Sequence, residues 1–123
     1  MKRILVIDDQ TSIREIVADL LREFELADLI EEADSIQQAQ QLLSEKKWDA
    51  IVTDMSLIDG NVLDLIESMA AQGAQFPPIL LMSGFLYGES EQRAQSLGIR
   101  HIISKPFSPS EMIDSVQSLL DLD

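Results

Sequence analysis

Five short apolar runs, separated by stretches with helical spacing, constrain this chain more than any other feature. The runs are residues 4–7, 29–30, 50–52, 79–82 and 102–103. They are often β-branched and mostly unbroken by polar residues, as strands buried on both faces are. Between them, Ile13, Ile16, Val17, Leu20, Leu21 and Phe24 follow the three-and-four spacing of a helix face. Val62, Leu65, Ile66 and Met69 repeat that spacing, as do Met112, Val116, Leu119 and Leu120. These stripes read as core contacts. The fourth helical stretch, 89–97, has the thinnest stripe, with only Ala94 and Leu97 directed inward.

Helix signals agree with this parsing. Ser108-Pro109-Ser110-Glu111 reads as a capping box with proline at the first helical position. Ser12 with Glu15 and Ser35 with Gln38 are weaker versions, and Gly73 and Gly98 stand where helices should stop. Five strand–helix units predict an α/β fold: a five-stranded parallel sheet with five helices on both faces. The flavodoxin-like strand order 2-1-3-4-5 is the natural choice. A length of 123 residues suits one domain, 1–123, with no linker or repeat, and the last helix leaves no room for an effector. Met1, just before the first run, points to a natural start.

Composition removes several function classes. With no cysteine and one histidine, a disulfide scaffold, a thiolate site and a structural zinc site are ruled out or disfavoured. No apolar run is long enough for a signal peptide or a membrane span, so a soluble cytoplasmic protein is expected. A formal net charge of −13 repels nucleic acid and anionic membrane. It also repels free phosphate, so a phosphoryl group handled here needs a local cation or lysine.

In a parallel sheet the C-terminal strand ends share one edge, where ligands bind. The residues just after the runs are Asp8-Asp9, Thr53-Asp54, Ser83-Gly84 and Ser104-Lys105-Pro106. In the order 2-1-3-4-5 their strands are neighbours, so three carboxylates, a hydroxyl and an ammonium converge. Carboxylates crowded together raise one another's pKa unless a cation holds them. Magnesium, which takes a few carboxylates, a carbonyl and waters, fits best. Asp54 would then be an ionised nucleophile able to form an acyl phosphate. Lys105 and Ser83 would engage the phosphoryl oxygens. Each piece alone has an ordinary reading: Asp-Asp as a turn or cap, Asp59-Gly60 as turn chemistry, Lys105-Pro106 as a loop.

Together these residues resemble the response-regulator receiver family of two-component signalling, over the whole chain. The matching pieces are Ile7-Asp8-Asp9, Val52-Thr53-Asp54-Met55, Leu81-Met82-Ser83-Gly84 and Lys105-Pro106-Phe107. The resemblance implies a phosphorylation-dependent switch. Asp54 would be the phosphoacceptor, and Asp8, Asp9, Asp54 and the Ser56 backbone carbonyl would bind Mg2+. Ser83 would move toward the phosphoryl group, Lys105 would contact it, and the Lys105–Pro106 bond would be cis. It also implies a phosphohistidine donor, a histidine kinase or phosphotransfer protein, docking near the first helix and the strand-end loops. The fourth helix, fifth strand and fifth helix would form the output face toward a downstream protein. A monomer is the simplest expectation.

One position departs from the family pattern. Ile102, preceded by His101, stands where an aromatic usually reports activation; Phe85 or Tyr87 would be its substitute. Ser56 and Phe85 flank the site, and the lack of a water-activating base at Ser56 predicts slow self-hydrolysis. Competing readings are an aspartyl-phosphate phosphatase, a flavin carrier, a receiver-like binding module not regulated by phosphorylation, and a receiver from a larger regulator. The phosphatase lacks an acid–base carboxylate at Ser56 and a cap domain. The flavin carrier would suffer repulsion of its phosphate by Asp8-Asp9, and Trp48 falls on the opposite edge.

Overall fold

The computed structural model describes residues 2–84 and 88–121. In chain order the elements are β1 (Arg3–Ile7), α1 (Thr11–Glu23), β2 (Leu29–Ala33), α2 (Ile36–Glu45), β3 (Ala50–Asp54), α3 (Val62–Ala71), β4 (Ile79–Ser83), α4 (Gly88–Ser96), β5 (His101–Ser104) and α5 (Pro109–Leu120). Between β3 and α3, Ser56–Leu57 and Gly60–Asn61 form a two-rung antiparallel ladder outside the main sheet. The five numbered strands pair in parallel in the order β2-β1-β3-β4-β5, as the alternation of runs predicts.

Successive side chains of a strand point to opposite faces, and this splits the core into two layers. On one face Leu5, Ile7, Ile51, Ile79 and Leu81 pack with Ala39 of α2, Val62, Leu63, Leu65 and Ile66 of α3, and Ala94 of α4. On the other, Ile4, Val6, Val52, Leu80, Met82 and Ile103 pack with Val17 and Leu21 of α1 and Met112, Val116 and Leu119 of α5. The edge strand β2 is only half-buried until Ala33. In α4 Ala94 is fully buried, and Leu97 just past its end is partly so, matching its thin stripe. Trp48 lies before β3, at the opposite end of that strand from Asp54, and its Nε1 donates to the Leu42 carbonyl.

Helix ends follow the sequence signals with exceptions. Ser108 and Glu111 form the full capping box of α5. At α2, Ser35 Oγ accepts from the Gln38 N–H, while Gln38 Oε1 accepts from the Asp34 N–H instead of closing back on Ser35. Ser12 is no cap: α1 starts at Thr11 behind Gln10, which makes no side-chain capping bond. That helix begins earlier because Asp8 Oδ1 takes the Gln10 N–H at its entry. Gly73 and Gly98 close α3 and α4 with φ of +94° and +87°, a region open to glycine. The same turn closes α1, with Glu25 in that region at φ 55°.

The α1 stripe is not wholly core. Ile16 and Phe24 are 54% and 53% exposed, whereas Val17 and Leu21 are fully buried. Among the described residues α1 has only α5 beside it on its face of the sheet, and none of them covers the flank carrying Ile16 and Phe24.

Candidate functional site

The sheet brings the predicted strand ends together. Asp8 follows β1, Asp54 ends β3, Ser83 ends β4 and Lys105 follows β5. Register fixes their level: Asp54 stands opposite Met82, and Ser83 opposite Ser104. Two backbone bonds extend the ladder into the loops, from the Met55 N–H to the Met82 carbonyl (3.2 Å) and from the Lys105 N–H to the Ser83 carbonyl (2.9 Å). The Lys105–Pro106 peptide bond is cis.

Asp8, Asp9 and Asp54 each offer a carboxylate oxygen, and these oxygens lie within 4.8 Å of one another. Lys105 Nζ bridges two of them, 3.0 Å from Asp8 Oδ2 and 3.3 Å from Asp54 Oδ2. Asp8 is fully buried; its Oδ1 accepts the Gln10 N–H at 2.9 Å and its own N–H donates to the Ala33 carbonyl. Asp54 Oδ1 accepts the Met55 N–H at 2.9 Å. Burial pushes the Asp54 carboxyl above its ordinary pKa; Lys105 opposes this and the neighbouring Asp8 adds to it. One ammonium therefore does not offset burial and crowding. Such a donor set, three hard oxygens with too little positive charge, fits a hard divalent cation such as Mg2+.

The remaining predicted residues fall around this trio. Ser83 is buried, 5% exposed, at the end of β4. Ser56 is exposed, two residues past Asp54, and pairs with Asn61 in the short ladder. Ile102 lies on β5 and is 36% exposed, so the position expected to hold a reporting aromatic carries a surface aliphatic. Phe85 and Tyr87 lie outside the described residues.

Sequence reasoning missed three features. Arg14, in the first turn of α1, donates from Nη1 to the Asp8 carbonyl at 2.9 Å. Asp59, read as turn chemistry, accepts the N–H groups of Ile36 and Gln37 and so caps α2 across 23 residues of chain. Those bonds hold its carboxyl below the ordinary pKa. Third, Ile13, Ile16, Pro106 and Phe107, with Gln10 and Lys105, line a shallow, mainly apolar cleft beside the site. The exposed half of the α1 stripe was its only sequence signal.

Comparison with known proteins places the family and the fold. The family described as "Response regulator receiver domain" matches residues 4–117. The phosphate regulon transcriptional regulatory protein PhoB of Klebsiella pneumoniae is 31% identical over 97% of this chain and 52% of its own length. The transcriptional regulatory protein PdtaR of Mycobacterium tuberculosis is 28% identical over 94% of this chain and 55% of its own. The chain thus spans about half the length of the curated relatives it matches. Among solved structures, the non-phosphorylated HemR receiver domain of Leptospira biflexa superposes with a TM-score of 0.87 at 27% identity, covering 100% of this chain and 97% of that one. The chemotaxis response regulator CheY4 of Vibrio cholerae shares the fold at a TM-score of 0.85 and 24% identity, over 98% and 99%. The chain belongs to the response regulator receiver domain family, the phosphorylation-dependent switch module of two-component signalling.

Proposed function

We propose that residues 1–123 act as one receiver domain in which Asp54 is the phosphoacceptor. Asp8, Asp9, Asp54 and the Ser56 backbone carbonyl would hold Mg2+, whose charge offsets that of the incoming phosphoryl group. The observation that carries this reading is the carboxylate trio within 4.8 Å, with Lys105 Nζ bridging Asp8 and Asp54.

Asp54 sits at the end of a central strand with a parallel neighbour on each side, and the Met55 N–H holds Oδ1. This leaves Oδ2, beside Lys105, as the attacking oxygen. A P–O bond forms to Asp54 as the P–N bond of a phosphohistidine donor breaks, and the imidazole leaves with the electron pair of that bond. Lys105 then exchanges its contact with Asp54 for one with a phosphoryl oxygen, a charge-assisted bond. The Ser83 hydroxyl, one strand away, supplies a further donor. Such an event adds charge and acceptors at one point and shifts the balance between two conformations.

The donor, a histidine kinase or phosphotransfer protein, would dock on the apolar cleft of Ile13, Ile16, Pro106 and Phe107 beside Lys105. Output would pass to a downstream protein, since a net charge of −13 disfavours nucleic acid and anionic membrane. We take the domain to be a cytoplasmic monomer; among the described residues no helix is long and apolar enough to cross a membrane. The domain would catalyse only its own phosphorylation and dephosphorylation, because exposed Ser56 offers no acid–base group for turnover.

Intact-mass measurement after incubation with acetyl phosphate tests this reading. A gain of one phosphoryl group that needs Mg2+ and disappears in Asp54→Asn is the expected result. A gain that persists in Asp54→Asn, or that does not need a divalent cation, would overturn it.

A further inference from the structure

Arg14 makes contacts that neither phosphoryl transfer nor core packing requires. Its side chain is 14% exposed. Nε donates to Glu32 Oε1 on β2 at 3.1 Å, and Nη1 reaches back along the chain to the Asp8 carbonyl at 2.9 Å. The other oxygen of Glu32 lies 3.7 Å from Arg22, about two turns further along α1. The guanidinium is therefore clamped between α1, the edge strand and the end of β1.

The carbonyl it holds belongs to the peptide unit joining Asp8 to Asp9. A peptide unit is planar, so its orientation sets where Asp9 leaves Asp8. The other contacts of Asp8 fix Asp8 itself: its N–H on Ala33, Oδ1 on the Gln10 N–H and Oδ2 on Lys105. Arg14 instead holds the plane that leads to the second carboxylate.

We infer that Arg14 is a positioning residue that sets the relative placement of the Asp8 and Asp9 carboxylates and so tightens divalent-cation binding. This rests on the proposal that the acidic trio holds such a cation. Its sign separates it from simple electrostatics. Arg14 is a positive charge near a cation site, so Coulomb repulsion alone predicts tighter binding when it is removed. Loss of positioning predicts weaker binding, of the size seen when groups supporting metal ligands are removed, roughly tenfold or more.

The test is Mn2+ binding, followed by electron paramagnetic resonance of the free ion. The proteins are the wild type, Arg14→Met, Arg14→Lys, Asp8→Asn and the core variant Val116→Ala. Methionine keeps most of the apolar stem, and lysine can still reach the Asp8 carbonyl. The expected result is a Kd raised about tenfold or more in Arg14→Met and largely restored in Arg14→Lys. Val116→Ala, which lowers stability away from the site, should stay within twofold of wild type. Tighter or unchanged binding in Arg14→Met, with Asp8→Asn defective, would overturn the role of Arg14 alone. Equal weakening in Arg14→Met and Val116→Ala would do the same, since it would trace the effect to stability. Asp8→Asn binding as tightly as wild type, or a wild type that binds no Mn2+, would overturn the cation site and this role with it.

Discussion

Replacing Lys105 by methionine would remove the ammonium that bridges Asp8 and Asp54, at 3.0 and 3.3 Å. At an effective dielectric of about 20, each contact is about 5 kcal/mol of gross attraction, and two ionised carboxylates within 4.8 Å of each other repel by at least about 3.5 kcal/mol. Desolvation cancels much of this, and truncating one partner of a buried ion pair costs about 3–5 kcal/mol net. Asp8 keeps its Gln10 hydrogen bond, which favours the lower end. We expect a loss of about 3 kcal/mol in EDTA at neutral pH, or about 10 °C in Tm for a chain of this size.

Two dependences should accompany that loss. Freed of the ammonium, the trio should bind a divalent cation more tightly, and a tenfold lower Kd would close about 1.4 kcal/mol of the gap once Mg2+ is saturating. The pH dependence follows from Asp54, whose pKa is raised in the fold by burial, with Lys105 opposing and Asp8 reinforcing. For a raised carboxyl, the stabilising contribution is complete below the unfolded pKa and is lost as pH rises through the folded pKa. Without Lys105 the folded pKa rises further, so the gap to wild type should be small in acid and full at neutral pH. Urea unfolding in EDTA and in Mg2+ between acid and neutral pH measures all three effects. A gap that is the same with and without Mg2+, or absent at neutral pH, would refute the charge-balancing role.

Three further outcomes are expected. Ile16→Asp should slow phosphoryl transfer from a phosphohistidine protein while leaving acetyl phosphate labelling and Tm unchanged, since Ile16 is 54% exposed; equal slowing with both donors would argue against a docking role. Asp59→Ala should speed amide exchange at Ile36 and Gln37. Because the pKa of Asp59 is lowered by those bonds, the wild-type cap is complete above the unfolded pKa and is lost as pH falls through the folded one; the variant should lack that acid-side change. Glu25→Gly relieves a left-handed residue at φ 55°, a strain of about 1–2 kcal/mol, against about 0.4–1 kcal/mol of added unfolded-state entropy. A net gain of up to about 1.6 kcal/mol in urea unfolding is expected, and a loss would show that the Glu25 side chain contributes more than its backbone costs.

Sequence by itself determined the sheet and the position of the candidate site. Apolar runs such as 4–7 and 79–82 are too short and too uniformly apolar for surface helices, and their alternation with helical stripes leaves parallel pairing as the way to bury both. Once strand order is given, Asp8, Asp54, Ser83 and Lys105 must meet, because each stands at the same end of neighbouring strands. Only the tertiary structure decided which half of the α1 stripe is core, because periodicity marks a face while its coverage depends on neighbours, and among the described residues α1 has only α5 beside it on its face of the sheet. Only the tertiary structure could assign Asp59 to α2 or Arg14 to the Asp8 carbonyl. Both are polar contacts made by single side chains to backbone groups. A backbone N–H or C=O is the same chemical group at nearly every residue, so the sequence carries no mark of which one a distant carboxylate or guanidinium will find.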